Sequence, residues 1–213
     1  MLCQMTTEMG RRERKKQLTR QAISDVATDM FMARGFDAVT VAEVAAAADV
    51  AVQTVFNHFP TKEDLFFDQS GWWTGPAQAV RDTPAGESVV AALRQHYLNE
   101  TRHRHAAGYL ATWARFRRTI ESSPALLARR RRNAHEMEDL LVAALRERDK
   151  HLPELTAHLI AAQYAAAQKV LEAELARVLP EDPSEAELAD AAATVERAID
   201  EVFSVLSRGL AEA

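Results

Sequence analysis

The amino-acid sequence predicts an all-α fold. We expect an N-terminal three-helix domain with a helix-turn-helix, then a larger helical domain, giving about nine helices. Apolar residues recur at spacings of three and four, and no long stretch shows the alternation of a strand. With 7 Gly and 7 Pro in 213 residues, long helices are permitted. Ser or Thr followed three residues later by Glu or Asp marks several helix starts.

The composition indicates a globular core and excludes several classes of protein. Hydrophobic residues make up 47% of the chain, which is typical of a folded domain. The one cysteine, Cys3, excludes an internal disulfide and a cysteine-based zinc cluster. The N-terminus lacks the apolar segment of a signal peptide, and no run approaches the ~20 apolar residues of a membrane span. We therefore expect a soluble, cytoplasmic protein.

Charge is distributed unevenly along the chain. The net charge is −5, but residues 10–20 carry six Lys or Arg against one Glu, and residues 151–213 carry four against twelve Asp or Glu. We interpret residues 1–17 as a flexible basic arm that contacts phosphates or the minor groove of DNA. A solvated terminus without a ligand is the alternative.

The first helix is predicted from about Leu18 to Arg34. Gly35 ends it, since glycine readily adopts the left-handed conformation of a helix cap. Its apolar side chains recur at three- and four-residue spacings and so form one stripe. This stripe consists of Leu18, Ala22, Ile23, Val26, Ala27, Met30 and Phe31.

A second and a third helix follow, joined by a tight turn. Thr40 caps the second helix, and Glu43 completes a capping box. Asp49 occupies the turn, where a positive φ is often required. The third helix is predicted at about Val52–His58. Its outer side carries four polar side chains, Gln53, Thr54, Asn57 and His58.

This third helix has the chemistry of a recognition helix, although a surface helix with a polar face is the alternative. Gln53 and Asn57 can each pair bidentately with adenine. Thr54 or Val52 can contact the methyl group of thymine. Lys62 stands at the N-terminus of the next helix, where the helix dipole attracts phosphate. We therefore expect Lys62 to contact phosphate, with simple solvent exposure as the alternative.

Three segments carry a resemblance to a known family. They are Phe31-Met-Ala-Arg-Gly-Phe36, Thr40-Val-Ala-Glu-Val-Ala45 and Val50-Ala-Val-Gln-Thr-Val-Phe-Asn-His-Phe-Pro-Thr-Lys-Glu-Asp-Leu65. In order and spacing, the chain from Leu18 to Phe67 resembles the N-terminal domain of the TetR (tetracycline repressor) family of bacterial transcription regulators.

The resemblance implies a role for each matched position. The positions expected toward base edges are Val52, Gln53, Thr54 and Asn57. Those expected toward phosphates are Thr40, Thr54, His58 and Lys62. Three positions depart from the family pattern, namely Asp49 in place of Gly, Ala51 in place of a Ser or Thr cap, and Phe56 in place of Tyr. We expect the missing cap at Ala51 to weaken the third helix by ~1 kcal/mol.

The remaining chain is predicted to be a helical body. A connecting helix is expected from Lys62 to about Trp73, and Gly75-Pro76 indicates a break. Later helices are expected at about Ser88–His103, His105–Glu121, Pro124–Arg148, Glu154–Val178 and Glu185–Leu210. The predicted organisation is an arm at 1–17, a helix-turn-helix DNA-binding domain at 18–66, and a ligand-binding and dimerisation domain at 67–213.

The last helix carries an apolar seam spaced 4-3-4-3-4, which suits packing against another helix. The helix before it has two apolar stripes, so one can face the body's own core and the other a second chain. An internal bundle is the alternative. The TetR resemblance favours a homodimer, because that family joins its last two helices into a four-helix bundle. The predicted interface residues are Leu159, Ala162, Ala166, Leu188, Ala192, Val195, Ile199, Val202 and Leu206.

Aromatic residues of the body are candidates for a ligand pocket. Aromatic side chains at helical spacing often form ordinary core, but the resemblance implies an effector cavity. The candidates are Trp72, Tyr97, Tyr109, Trp113, Phe116, Met137 and Leu140.

Two further groups of polar residues have a simple surface interpretation. His96, Glu100 and His103 share one helical face and could bind a metal or sense pH. No fourth ligand lies near them in the sequence, so we predict no metal and no cofactor. Two arginine clusters are interpreted as surface charge networks, with an anionic effector as the alternative. They comprise Arg115, Arg117 and Arg118, and Arg129 to Arg132.

Together these features predict a ligand-responsive DNA-binding transcriptional regulator. We expect a repressor that binds a palindromic operator on double-stranded DNA as a homodimer and is released by a small-molecule effector. The alternative is a helical interaction or ligand-binding protein that has lost specific DNA reading. We expect no enzyme, because the sequence contains no Gly-rich phosphate loop, no zinc-protease motif and no nucleophile signature.

Overall fold

The computed structural model describes residues 10–68 and 73–211. Within these two ranges the chain forms ten α-helices and no strand, so the all-α prediction is confirmed. The chain divides into two compact units between residues 69 and 70. No helix in the described ranges is both long enough and apolar enough to cross a membrane.

The N-terminal unit packs three short helices against a long first one. The rings of Phe31, Phe36 and Phe66 meet at centroid distances of 5.1 to 6.1 Å. Ile23 and Ala27 on the first helix are fully buried, so successive turns of one helical face supply the core. The helices are α1 (Arg11–Arg34), α2 (Val41–Ala47), α3 (Val52–His58) and α4 (Lys62–Phe66).

The first helix is longer than the sequence pattern predicts. It begins at Arg11, so the predicted start near Leu18 is wrong, and residues 11–17 of the predicted flexible arm are helical. Arg, Lys, Gln and Glu in this stretch have high helix propensity, and no Gly or Pro interrupts them. Leu18 is 66% exposed, so the buried stripe starts later than predicted. Residues 1–9 of the predicted arm lie outside the described residues.

The C-terminal unit contains six helices. These are α5 (Gly75–Asp82), α6 (Val89–Ala106), α7 (Tyr109–Ser122), α8 (Pro124–Arg148), α9 (Glu154–Val178) and α10 (Glu185–Ala211). The bounds of α8 and α9 agree with the sequence prediction. The pairs α5–α8, α6–α10, α8–α9 and α9–α10 all pack together, and they enclose one core that includes Met137, Leu141, Tyr164, Ile199 and Phe203.

Three helix boundaries in the chain differ from the sequence prediction. The helix that starts at Lys62 ends at Phe66, and Gly75-Pro76 begins α5 instead of marking a break. Proline is well tolerated in the first turn of a helix, because its missing N–H has no partner there. Helix α7 begins at Tyr109, after Gly108 takes a left-handed conformation with φ 75°.

The apolar seam of α10 lies in the core of this chain. Val195, Ile199 and Phe203 are 3%, 0% and 1% exposed. The assignment of Val195 and Ile199 to a dimer interface is therefore wrong, because these side chains are already packed within one chain. The 4-3-4 spacing indicates a helix–helix contact but does not say whether the partner helix belongs to the same chain.

Two ion pairs connect α10 to α6 on the outside of this core. The Arg94 Nε lies 3.0 Å from an Asp200 carboxylate oxygen, and Arg102 binds Glu196 at 2.8 Å. Both pairs are solvent-exposed, so each contributes little to the free energy of unfolding.

Replacement of Ile199 by Glu should unfold the C-terminal unit. A carboxylate in this core would have no partner, and we expect a loss of at least about 3 kcal/mol in the free energy of unfolding. Urea denaturation followed by circular dichroism measures this loss. Ala186→Glu, on the exposed first turn of the same helix, should change stability by less than ~0.5 kcal/mol. A stable but monomeric Ile199→Glu variant would contradict the burial of this residue.

Candidate functional site

The turn between α2 and α3 has the geometry of a helix-turn-helix. Thr40 caps α2: its hydroxyl accepts from the Glu43 N–H at 3.2 Å, and the Glu43 carboxylate accepts from the Thr40 N–H at 2.8 Å. The chain then turns at Asp49, whose φ is 53°. The Val50 N–H closes the turn by donating to the Ala45 carbonyl at 2.9 Å. The capping box and the positive φ at Asp49 are as the sequence predicts.

The cap of α2 is stabilised by charge as well. The Arg34 guanidinium binds Glu43 at 2.8 Å. This contact, together with the hydrogen bonds from Thr40, lowers the pKa of Glu43 from 4.5 to about 2. Since the folded-state pKa is the lower one, ionised Glu43 favours folding above pH 4.5, and this contribution is lost as the pH falls toward 2.

Helix α3 presents two rows of side chains to solvent. Gln53 and Asn57 form one row, and the Gln53 Nε2 donates to the Asn57 Oδ1 at 3.1 Å. Val52 and Phe56 form a second row and are 40% and 43% exposed. Sequence reasoning noted only that Phe56 lacks a hydroxyl, and it missed that the ring itself is exposed. Its spacing of four from Val52 was the available signal.

The opposite side of α3 is fixed to α1. Val55 and Phe59 are fully buried. One nitrogen of the Arg20 guanidinium donates to the His58 carbonyl, and another forms an ion pair with Asp68. The same guanidinium lies 4.2 Å from the centre of the Phe59 ring. Arg20 thus places positive charge at the C-terminus of α3, where the helix dipole is negative.

The side chains of two residues expected near phosphate already have partners within the chain. The Thr40 hydroxyl donates to the Glu43 carboxylate at 2.8 Å. The Lys62 ammonium donates to the Phe36 carbonyl at 2.6 Å and lies 4.1 Å from the centre of the Phe36 ring. Burial lowers the pKa of His58, and the charges of Arg20 and Lys16 add to the effect. Phosphate contacts by these residues, and by half-buried Thr54, stay a prediction.

Comparison with known proteins identifies this unit. Residues 23–68 match the model of a family described as bacterial regulatory proteins, tetR family. The matched residues contain α2, the turn and α3. In this region the chain is a member of the TetR family.

A curated relative of this chain is the HTH-type transcriptional regulator TcmR of Streptomyces glaucescens. The two are 30% identical over 145 residues, which is 66% of this chain. The alignment covers 64% of the length of TcmR. Both the family and this relative are regulatory proteins rather than enzymes, in agreement with the sequence expectation.

Two solved structures share the fold over most of the chain. NalD, the secondary repressor of the MexAB-OprM multidrug efflux pump in Pseudomonas aeruginosa, has a TM-score of 0.55 and 17% identity. The likeness covers 90% of this chain and 96% of NalD. A SmeT–triclosan complex has a TM-score of 0.53 and 19% identity, covering 89% of this chain and 91% of SmeT.

The helical body of the chain contains a cavity of about 130 Å³. It lies among helices α6, α7, α9 and α10. Three predicted pocket residues line it, namely Tyr97, Tyr109 and Trp113. The other described residues that line it are His96, Glu100, Thr101, Arg104, Leu110, Tyr164, Gln168, Leu171, Glu172, Leu175 and Val195.

The remaining predicted pocket residues lie elsewhere. Met137 is 1% exposed and belongs to the main core, against which Leu140 is packed. Phe116 is half-buried on α7 and does not line the cavity. These three assignments follow from apolar spacing, which does not distinguish a cavity wall from a filled core. Trp72 lies outside the described residues. Ligand binding by any of these residues stays a prediction.

His96 connects the cavity with the first turn of α5. A β-carbon placed on Gly75 would lie 2.6 Å from the His96 Cε1 and 2.7 Å from its Nε2, so the imidazole occupies space that only glycine leaves open. Burial lowers the pKa of His96, which favours the neutral ring. Glu100 also lines the cavity, whereas His103 is exposed. In the described ranges, no group of three such side chains is arranged to hold a metal ion.

Three arginines of the two clusters pair with carboxylates that do not line the cavity. Arg117 binds Glu121 at 2.8 Å, and Arg118 binds Glu181 at 3.0 Å. Arg129 lies 3.2 Å from Glu136. Among the described residues, none of these arginines lines the cavity.

Helices α9 and α10 expose a second apolar surface. Leu155, Leu159 and Val170 on α9 are 82%, 48% and 56% exposed, and Val205 on α10 is 56% exposed. The α9 residues follow one helical stripe with the exposed Ala162 and Ala166. Of the other predicted interface residues, Leu188, Ala192, Val202 and Leu206 are half-buried. Sequence analysis missed Val170 and Val205, which fall outside its seam.

Replacement of Ala51 by Ser should stabilise the recognition helix. Ala51 has the extended backbone of an N-cap, with φ −69° and ψ 146°, but its side chain accepts no hydrogen bond. A serine hydroxyl can accept from the orphan amides of the first turn, so we expect a gain of ~1 kcal/mol. Hydrogen exchange of the α3 amides measures this gain. Ala51→Val, which adds no acceptor, is the control, and equal effects of both variants would contradict the capping explanation.

Proposed function

We propose that this TetR-family chain is a DNA-binding transcriptional repressor that acts in the cytoplasm as a homodimer and is released by a small molecule. The observation that carries the proposal is the exposed face of α3, which follows a capped helix and a tight turn inside the matched family region. A recognition helix of this kind enters the major groove of DNA. The kinship with TcmR, a transcriptional regulator, supports the same role.

The two exposed rows of α3 suit different parts of a base pair. The amides of Gln53 and Asn57 can donate and accept at the edge of adenine. Val52 and Phe56 offer apolar surface to the methyl group of thymine. Because Gln53 and Asn57 are hydrogen-bonded to each other, each orients the other before DNA arrives.

Phosphate contacts would come from around this face. Arg14, Lys15 and Lys16 are positively charged and exposed at the start of α1. Unlike Thr40, they do not cap a helix. Lys62 and Thr40 each have an intramolecular partner. The Lys62 ammonium has three donors and can still bind a phosphate oxygen. The Thr40 hydroxyl has one donor, which must turn from Glu43 to bind phosphate. We assign backbone positioning to these residues and to Thr54 and His58, and base reading to Gln53 and Asn57.

A homodimer would use the apolar surface of α9 and α10. Four of the eight large exposed apolar side chains in the described ranges lie on these two helices. A contiguous exposed apolar surface of this kind commonly marks a protein–protein contact. A two-fold dimer holds two recognition helices at a fixed separation and so reads a palindromic operator.

The effector would occupy the cavity of the helical body. SmeT, which shares this fold, is known in complex with triclosan, and NalD is a repressor of an efflux pump. A ligand that binds the DNA-free state more tightly lowers operator affinity by no more than its differential affinity for the two states.

A second candidate is a regulator-like protein that no longer reads specific DNA. It is favoured by one observation, that Phe56 and Ala51 leave the recognition helix without two polar groups that could bind phosphate or the helix end. The decisive measurement titrates the protein against its own upstream intergenic DNA and a scrambled duplex at two salt concentrations. A strong preference for one palindrome at both concentrations supports the repressor, and equal weak binding to both duplexes supports the alternative.

Replacement of Gln53 or Asn57 by Ala should relax base specificity. Each loss of a bidentate contact should reduce discrimination by ~1–3 kcal/mol at one base pair. The double variant should lose less than the sum, because the two side chains share a hydrogen bond. Competition binding against operators with single base changes measures the effect.

The chain contains a matched control for this experiment. Gln95 and Asn99 on α6 form the same exposed pair, with a hydrogen bond of 2.8 Å. Their alanine variants should leave DNA specificity unchanged. If Gln53→Ala behaves like Gln95→Ala, the assignment of the reading face is wrong.

Replacement of Leu159 by Glu should weaken the dimer. The side chain is half-exposed in the single chain, so the charge does not disturb the core but does oppose an apolar contact between chains. Sedimentation velocity should show a shift toward monomer with unchanged circular dichroism. Leu18→Glu, at an exposed leucine of α1, is the control and should keep the wild-type mass. An unchanged mass for Leu159→Glu would contradict this interface.

A further inference from the structure

The cavity in the helical body has the size of a single ring. Its volume is about 130 Å³, and an engineered cavity of about 150 Å³ holds one benzene molecule. The walls combine four aromatic side chains with aliphatic ones. The aromatic ones are Tyr97, Tyr109, Trp113 and Tyr164.

Two of these aromatic rings are fixed by packing. Tyr97 and Tyr164 lie 6.4 Å and 6.2 Å from the ring of Phe203, measured between centroids, and Phe203 is 1% exposed. Rigid aromatic faces of this kind attract cations through the negative charge above the ring. The cavity therefore offers a preorganised surface to a positive group.

Among the residues that line the cavity, carboxylates outnumber guanidinium groups by one. Two carboxylates, Glu100 and Glu172, and one guanidinium, Arg104, line it. Arg104 lies 3.9 Å from Glu100, whereas Glu172 forms no ion pair with any described residue. His96 does not balance the charge, because burial lowers its pKa and favours the neutral ring.

Glu172 lies in surroundings that favour a bound cation. Glu172 is exposed by its surface area, but the protein atoms around it remove part of its hydration and so raise its pKa. Arg130 and Arg104 oppose that rise. The charge of Glu172 adds to the burial that raises the pKa of Tyr97, so the carboxylate acts on the phenol of the aromatic wall.

We propose that this cavity binds a primary ammonium group attached to one aromatic ring. The ammonium binds Glu172 and the face of Tyr97, and the ring packs against Trp113. We assign Trp113 to the ligand's ring and not to its ammonium, because the indole already has a cation beside it. That cation is the guanidinium of Arg117, 5.5 Å from the centre of the indole. The inference rests on the proposed function only in naming this molecule as the effector, since the binding itself needs no DNA.

An anionic ligand fits this lining less well. Arg104 is the lining arginine, and it faces the carboxylate of Glu100. Arg117 and Arg129 pair with carboxylates that do not line the cavity. Arg130 also lies outside the lining and acts on Glu172 without an ion pair between them. A ligand carboxylate would therefore meet an excess of negative charge.

Isothermal titration with three matched probes tests the proposal. The probes are 2-phenylethylamine, 2-phenylethanol and phenylacetate, which share a phenyl ring and a two-carbon chain. The amine should bind at least about tenfold more tightly than the alcohol, because a charge-assisted hydrogen bond replaces a neutral one. Phenylacetate should bind most weakly.

Two variants locate the charge that recognises the amine. Glu172→Gln should weaken binding of the amine by about tenfold or more and leave the alcohol within about twofold. Glu174→Gln, on the same helix but bound to Arg177 and outside the cavity lining, should leave all three affinities unchanged. If Glu172→Gln does not fold, the order of the three probes on the unmodified chain decides the question.

The outcomes separate this proposal from the proposed function. Equal affinities for the three probes, tighter binding of phenylacetate, or no binding of any probe would overturn it. An equal loss for all probes in folded Glu172→Gln would also overturn it, because the carboxylate would then act on the cavity shape only. An amine that binds as expected but leaves operator affinity unchanged supports the site and contradicts the effector role.

Discussion

A seven-residue helix cannot maintain its own structure in water, and α3 is such a helix. Its position depends on what holds it from behind. Val55 and Phe59 anchor it in the core, and Arg20 binds its terminal carbonyl and the Phe59 ring at the same time. This leaves Gln53 and Asn57 free to face outward. The reading face is therefore specified by α1, whose exposed start also supplies the nearby positive charge.

The features that the sequence predicted correctly are local ones. A capping box, a positive φ and a helix end depend on residues within one turn, so Thr40, Glu43 and Asp49 could be assigned from the chain alone. The errors arose where the deciding contact is distant in sequence. The spacing of Ile199 indicates a packed stripe, but only tertiary structure shows that its partners belong to the same chain. The Phe36 carbonyl that receives the Lys62 ammonium is equally invisible in a linear pattern.

The residues that line the cavity show the same limit of prediction from sequence. Tyr97, Tyr109 and Trp113 were recognisable as candidates because they are large aromatics on two helices. Glu172 was not, because nothing in its neighbourhood on α9 sets it apart from the other acidic residues there. Its surroundings come from α6 and α8, whose residues Arg104 and Arg130 lie far from it in sequence. The balance of charges that line a cavity is a property of the assembled fold, so periodicity cannot reveal it.

The two ion pairs between α6 and α10 have little effect on stability, but they distinguish one alignment of these helices from its neighbours. In the structure, Arg94 meets Asp200 and Arg102 meets Glu196. A slip of one turn in one direction would bring Arg94 to Glu196 and leave Arg102 beside Ala192. A slip in the other direction would bring Arg102 to Asp200 and leave Arg94 beside Ser204. The native alignment satisfies both arginines, so exposed charges select the register in which Tyr97 and Phe203 meet.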